Sequence, residues 1–217
     1  MIEMLLALGM LSLMMVLVFG AFGMSTRVFS ESTLRQSAEQ QLKTIRVLLE
    51  RDIELTNFWL AQVVPRPLSD GTSRDALALV GLSEWNNTGL FQSDTGRPAW
   101  DRQLVWYTTT ETPGRLIRQV ASPPLPTGSS YLNQPYLALS ENLADASPEG
   151  NKNALSTRYL SAGVVDFKVS ARRENATLRV ELHLQQKGSA RAQSVERAEN
   201  HLQVNWRFNP RNTWPPL

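Results

Sequence analysis

From Met4 the chain reads Met-Leu-Leu-Ala-Leu-Gly-Met-Leu-Ser-Leu-Met-Met-Val-Leu-Val-Phe-Gly-Ala-Phe-Gly-Met, apolar at nearly every position up to Met24. As a helix rising about 1.5 Å per residue, this stretch covers roughly 30 Å, the thickness of a bilayer's hydrocarbon core. After Met24 the pattern turns polar but keeps a helical period. Leu34, Ala38, Leu42, Ile45, Leu49, Ile53, Thr56 and Leu60 recur at spacings of three and four, with Arg35, Glu39, Lys43, Arg46, Glu50, Arg51 and Glu54 between them. Glu39 and Lys43 make a favourable i,i+4 pair. Residues 26–64 contain neither Gly nor Pro, and Pro65 and Pro67 are expected to end the helix. The pattern predicts one helix of about 60 residues, roughly 90 Å long, whose second half lies against a sheet.

Beyond it the periods shorten. Gln103-Leu-Val-Trp-Tyr-Thr-Thr and Arg115-Leu-Ile-Arg-Gln-Val flank Glu111-Thr-Pro-Gly114 and read as a hairpin. Residues 164–171, 177–185 and 202–208 read as strands, while the apolar run 76–82 fits either element type. In Leu178-Arg-Val-Glu-Leu-His-Leu184 every second residue is apolar, so one face is buried and the other wet. Pro123, Pro124, Pro126 and Gly128 mark one loop, and residues 143–155, rich in Asn, Asp, Ser and Gly, mark another. The expected fold is α+β, a long N-terminal helix packed on an antiparallel sheet. Its divisions are 1–24, a membrane or filament-core segment; 25–64, the amphipathic half; 65–209, a β-rich head; and 210–217, a disordered tail.

A chain of 217 residues holds one such head plus an appendage. Its average of 42% apolar residues hides an uneven distribution, since all 6 methionines fall within residues 1–24. The net charge of +2 comes from 22 basic and 20 acidic side chains scattered among one another, which argues against a phosphate-backbone partner. The pair Arg172-Arg173 is followed at once by Glu174 and reads as a solvated strand face. The absence of cysteine excludes disulfides, thiolate zinc sites and cysteine nucleophiles.

Three readings of the apolar N-terminus compete. A cleavable signal peptide would use Ala21-Phe22-Gly23, but the run is longer than the usual core of about 7–15 residues and no basic residue precedes it. A generic single-pass anchor leaves Glu3, the sole charge in residues 1–24, unexplained. An unpaired carboxylate there costs several kcal/mol. The third reading rests on Ile2-Glu3-Met4-Leu5-Leu6-Ala7-Leu8. This segment resembles the start of type IV pilins and type II secretion pseudopilins, whose mature chains open Phe-Thr-Leu-Ile-Glu.

The resemblance implies a role for each position. Glu3 would pair with the N-terminal amine of a neighbouring subunit, neither charge being stable alone in lipid or a filament core. Ile2, Leu5, Leu6, Leu8, Leu13, Val16 and Phe19 would form the membrane and filament core, and Gly9 and Gly20 would loosen the helix. The family's basic leader, ending in Gly, is absent here and is expected upstream of Met1, where a leucine codon such as TTG read as a start would place Met at the family's Leu. Such a leader would restore the positive-inside bias that Arg27 alone opposes. The prepilin peptidase would then be a partner, cleaving after the Gly and methylating the new amine.

The order of elements, with Val165-Asp166-Phe167-Lys168-Val169 ahead of the alternating strand, resembles the J-type minor pseudopilins. A W-type minor pilin of a type IV pilus is a near-equal match. The likeness implies a single-pass subunit of the bacterial inner membrane, its head in the periplasm or outside, joining other minor pseudopilins to initiate or cap a filament. The remaining alternative is a membrane-tethered or secreted binding domain.

Catalytic signals are thin, and neither an enzyme nor a cofactor is expected. Asp94-Thr95-Gly96 has the aspartic-protease form but lacks a second such loop. His183 and His201 have no clustered carboxylate or thiolate in sequence and make a poor zinc site, so His183 is expected on a wet strand face. Glu141, Asp145, Glu149 and Asn151 crowd one loop with the oxygens calcium takes, but without EF-hand spacing. A solvated loop is the expectation there.

Overall fold

The computed structural model describes residues 2–122, 143–187 and 199–213, and the loop marked by Pro123 to Gly128 lies outside them. Two compact units divide the chain, residues 1–40 with 186–200 and residues 41–185 with 201–217.

The smaller unit contains the first part of helix α1, which runs unbroken over Ile2–Leu55, 54 residues, or about 80 Å. Hydroxyls along it are turned back onto the helix. Ser12 Oγ donates to the Leu8 carbonyl at 2.9 Å, and Thr33 Oγ1 to that of Phe29 at 2.8 Å. Each polar group is thereby satisfied without water. Arg35 and Glu39 form an exposed i,i+4 ion pair of 3.0 Å.

In the larger unit the end of α1 packs on a seven-stranded sheet whose strands lie in sequence order. They are β1 (Gln62–Pro67), β2 (Ser73–Gly81), β3 (Arg102–Thr108), β4 (Gly114–Ala121), β5 (Ala154–Arg172), β6 (Thr177–Lys187) and β7 (Glu199–Phe208). Each neighbouring pair from β1 to β6 is antiparallel. The α+β architecture, the β3–β4 hairpin and the alternating β6 are as expected.

Two boundaries differ. The helix stops at Leu55 rather than at residue 64. Thr56 Oγ1 accepts from the Val80 amide at 3.0 Å, and Asn57 Oδ1 caps a 3-10 turn, Phe58–Leu60, through the Trp59 amide at 3.0 Å. Pro65 and Pro67 therefore sit inside β1, an edge strand, where a missing N–H costs no ladder bond. The tail also departs from expectation up to Thr213. The Arg211 amide donates to the Glu54 carbonyl at 2.9 Å, and Asn212 Nδ2 to that of Leu55 at 2.9 Å. These residues cap orphan carbonyls at the helix end; 214–217 lie outside the described residues.

The 19-residue β5 serves two neighbours. It pairs with β4 up to Val164 and with β6 from Val164 onward, with register shifts around that point. Gly163 sits at the bend, where an added Cβ would stand 2.1 Å from the Gln185 carbonyl oxygen. Only glycine allows this approach. The sheet curls enough for the start of β2 to meet β5. The Val169 amide donates to Asp75 Oδ2 at 2.7 Å, and Lys168 Nζ donates to the Ser73 carbonyl. Arg74 is fully buried, its Nε on the Val165 carbonyl at 3.0 Å and its Nη1 on those of Thr109 and Glu111 at 2.7 and 2.8 Å. Burial pulls its pKa below the ordinary arginine value.

The main core joins Leu42, Ile45, Leu49 and Ile53 of α1 to Leu77, Leu79, Trp106, Phe167, Val180 and Leu182 of the sheet. The opposite face of β2–β4 buries Ala76, Ala78, Val105, Tyr107 and Ile117, with Leu143 packed against them.

Candidate functional site

Glu3 lies in the first turn of α1, where the helix dipole favours an anion. It is exposed, and so are the apolar residues around it. Every large hydrophobic side chain of α1 from Ile2 to Phe29 for which exposure is described lies between 54% and 76% exposed, including Ile2, Leu5, Leu6, Leu8, Leu13, Val16 and Phe19. These residues occupy every face of the helix. Among the described residues α1 alone is long and apolar enough to cross a membrane, with mean hydropathy 2.5 over its most apolar window. Gly9 and Gly20 lie inside the regular helix, and an added Cβ at either would meet nothing within 4 Å. The amine expected to pair with such an acid belongs to a chain start, and Met1 lies outside the described residues.

From Ala38 onward the same helix changes character. Ala38, Leu42, Ile45, Leu49 and Ile53 are all buried, the stripe predicted from spacing. Asp52 joins them. Its carboxylate accepts from Trp106 Nε1 at 3.1 Å and from Arg118 Nε at 2.6 Å. Sequence reading passed over this acid because the charged positions of the stripe all look solvated.

The loop weighed for calcium is exposed at most of its described positions, as expected, but polar side chains in it are held by protein partners. Asp145 is bonded to Arg66 Nη2 at 2.9 Å and accepts from the Thr110 amide and hydroxyl. Asn151 is buried, donating to Tyr107 Oη at 3.0 Å and to Gln119 Oε1 at 3.1 Å. Glu149 accepts from Tyr159 Oη at 2.8 Å. Its own amide and that hydroxyl hold the carboxyl below the usual range. Glu141 lies outside the described residues. The segment covers the outer face of β3 and β4: Tyr107 Oη donates to the Ala144 carbonyl at 2.9 Å and Gln119 Nε2 to that of Pro148 at 2.7 Å. Burial raises the Tyr107 phenol to about 12.

Among the described residues no group of three or more His, Asp or Glu side chains is placed to hold a metal. The structure does bring together the two histidines, His183 Nε2 and His201 Nδ1 standing 3.1 Å apart across β6 and β7. Beside His183 a polar cleft of about 610 Å³ is lined by Asp70, Arg74, Thr112, Asp166 and Lys168. Asp94 sits in an exposed turn closed by Gly96, and Arg172 and Arg173 are exposed. No family model, curated protein or solved structure matches the chain.

Proposed function

We propose that this chain is a minor pilin-like subunit, held in the bacterial inner membrane by the first part of α1 and polymerising through it into a type II secretion pseudopilus. Its role is structural, initiating or capping the filament with other minor pseudopilins, and not catalytic. The observation that carries this reading is a single unbroken helix that is apolar and exposed on all sides at its start and a core element of a folded sheet at its end. A removable signal segment has no need of that continuity. The acid at the start of an otherwise uncharged segment supports it further. An ionised Glu3 is stable in lipid or a filament core only opposite a cation, and the terminal amine of an adjacent subunit supplies one. A prepilin peptidase and methylation of that amine belong to the same proposal. The same helix also suits a minor pilin of a type IV pilus, and the Val165–Val169 segment with its alternating neighbour favours the pseudopilus. Glu3→Ala is the test. Membrane insertion should persist while incorporation into filaments, scored by co-purification with the other subunits, falls at least tenfold. Normal incorporation would remove the pairing role.

A further inference from the structure

His183 and His201 are 18 residues apart in sequence, yet their rings meet edge to edge on the outer face of the sheet. Their placement is fixed from below. Leu182 and Leu184 are 0% and 1% exposed, which turns His183 outward, and on β7 Leu202 and Val204 pack against the core while His201 is exposed. The same cross-strand alignment recurs four residues along each strand, where Arg179 Nε donates to Asn205 Oδ1 at 2.9 Å. The two rings are thus neighbours by register and not by a chance rotamer.

We propose that His183 and His201 form a binding site for a divalent transition-metal ion of the zinc class. The geometry supports it. Two nitrogens bound to one tetrahedral zinc at about 2.05 Å each lie about 3.3 Å apart, and the observed separation is 3.1 Å. A small tilt of either ring admits the ion. Neutral tautomers with hydrogen on His183 Nδ1 and His201 Nε2 aim both lone pairs at it, and water completes the shell. Imidazole nitrogens choose zinc, copper or nickel over calcium or magnesium. Asp166 is the register partner of His183 on β5, but no third carboxylate or imidazole joins the two rings among the described residues, so the protein supplies two ligands. Arg74 and Lys168 also line the cleft, but their N–H groups are turned onto the carbonyls of Val165, Thr109, Glu111 and Ser73.

The site is tested by titrating the full chain in detergent with Zn²⁺, beside His183→Gln and His201→Gln. One equivalent should bind the parent chain. Outer-shell partners of a metal are worth about 10–100-fold in affinity, so loss of either ring should weaken binding by at least about tenfold. No binding by the parent chain, or binding by either variant as tight as the parent's, would overturn the site. Should a variant not fold, ¹⁵N spectra of the parent chain decide. Zinc must shift His183 Nε2 and His201 Nδ1, and unmoved resonances would overturn the proposal equally.

Discussion

Asp52 of α1 and Arg118 of β4 form a two-pronged ion pair, Nε to Oδ2 at 2.6 Å and Nη2 to Oδ1 at 2.9 Å, that joins helix to sheet inside the core. Their side chains are only 3% and 13% exposed, and Trp106 Nε1 occupies the same carboxylate at 3.1 Å. Removing two charges from water offsets most of what such a pair gains, so its main effect is on which alignment of helix and sheet is allowed. Asp52→Ala strands a guanidinium and an indole N–H. Urea unfolding should show a loss of about 3–5 kcal/mol, and the double change Asp52→Leu with Arg118→Met should lose less than the single one.

Gly163→Ala tests the bend in β5. Its Cβ would stand 2.1 Å from the Gln185 carbonyl oxygen, a backbone atom that cannot swing aside. A loss of about 2 kcal/mol or more is expected by thermal melting, with faster amide exchange along β5 and β6.

Tyr107 sets an alkaline limit. Burial raises its phenol from 10.0 to about 12, so between those values the folded chain keeps a proton that the unfolded chain has released. The stabilisation is fully present below about pH 10 and is lost as pH rises toward about 12, up to about 3 kcal/mol in all. Tyr107→Phe should lower stability at neutral pH, because Asn151 loses an acceptor, and flatten the decline above pH 10 in denaturant titrations.

Asp145→Ala should release the segment over the outer face. The Thr110 amide loses its acceptor and Arg66 its carboxylate partner, though Arg66 keeps the Thr108 and Leu143 carbonyls, a loss of about 1–3 kcal/mol. Limited proteolysis within residues 143–153 should speed up. Calcium should leave the melting temperature of the parent chain unchanged, since the Asp145 carboxylate is already bound by protein donors.

The legible parts were those with a single dry face. The stripe Leu42, Ile45, Leu49 and Ile53 and the alternation of Leu178 to Leu184 each follow one period because one side is wet. Strand β2 was ambiguous for the opposite reason. Leu77 and Leu79 face the main core while Ala76 and Ala78 are buried on the other side, so no alternation survives. Strand β1 was missed because Pro65 and Pro67 signal a stop, and only an edge position makes them harmless. The segment around Asp145 and Asn151 has the composition of a solvated loop. Its polar groups also satisfy Tyr107, Gln119 and Arg66, partners that are distant in sequence. The long apolar helix was legible from composition alone, whereas the meeting of His183 with His201 depends on strand register.

The central claim is that the apolar start of α1 stays joined to the head in the working protein. Intact-mass and N-terminal peptide analysis of the chain extracted from bacterial membranes tests it most directly. The account predicts a chain that retains Ile2 and Glu3 behind a methylated terminal amine. A chain beginning near Met24, recovered free of the membrane, would contradict it.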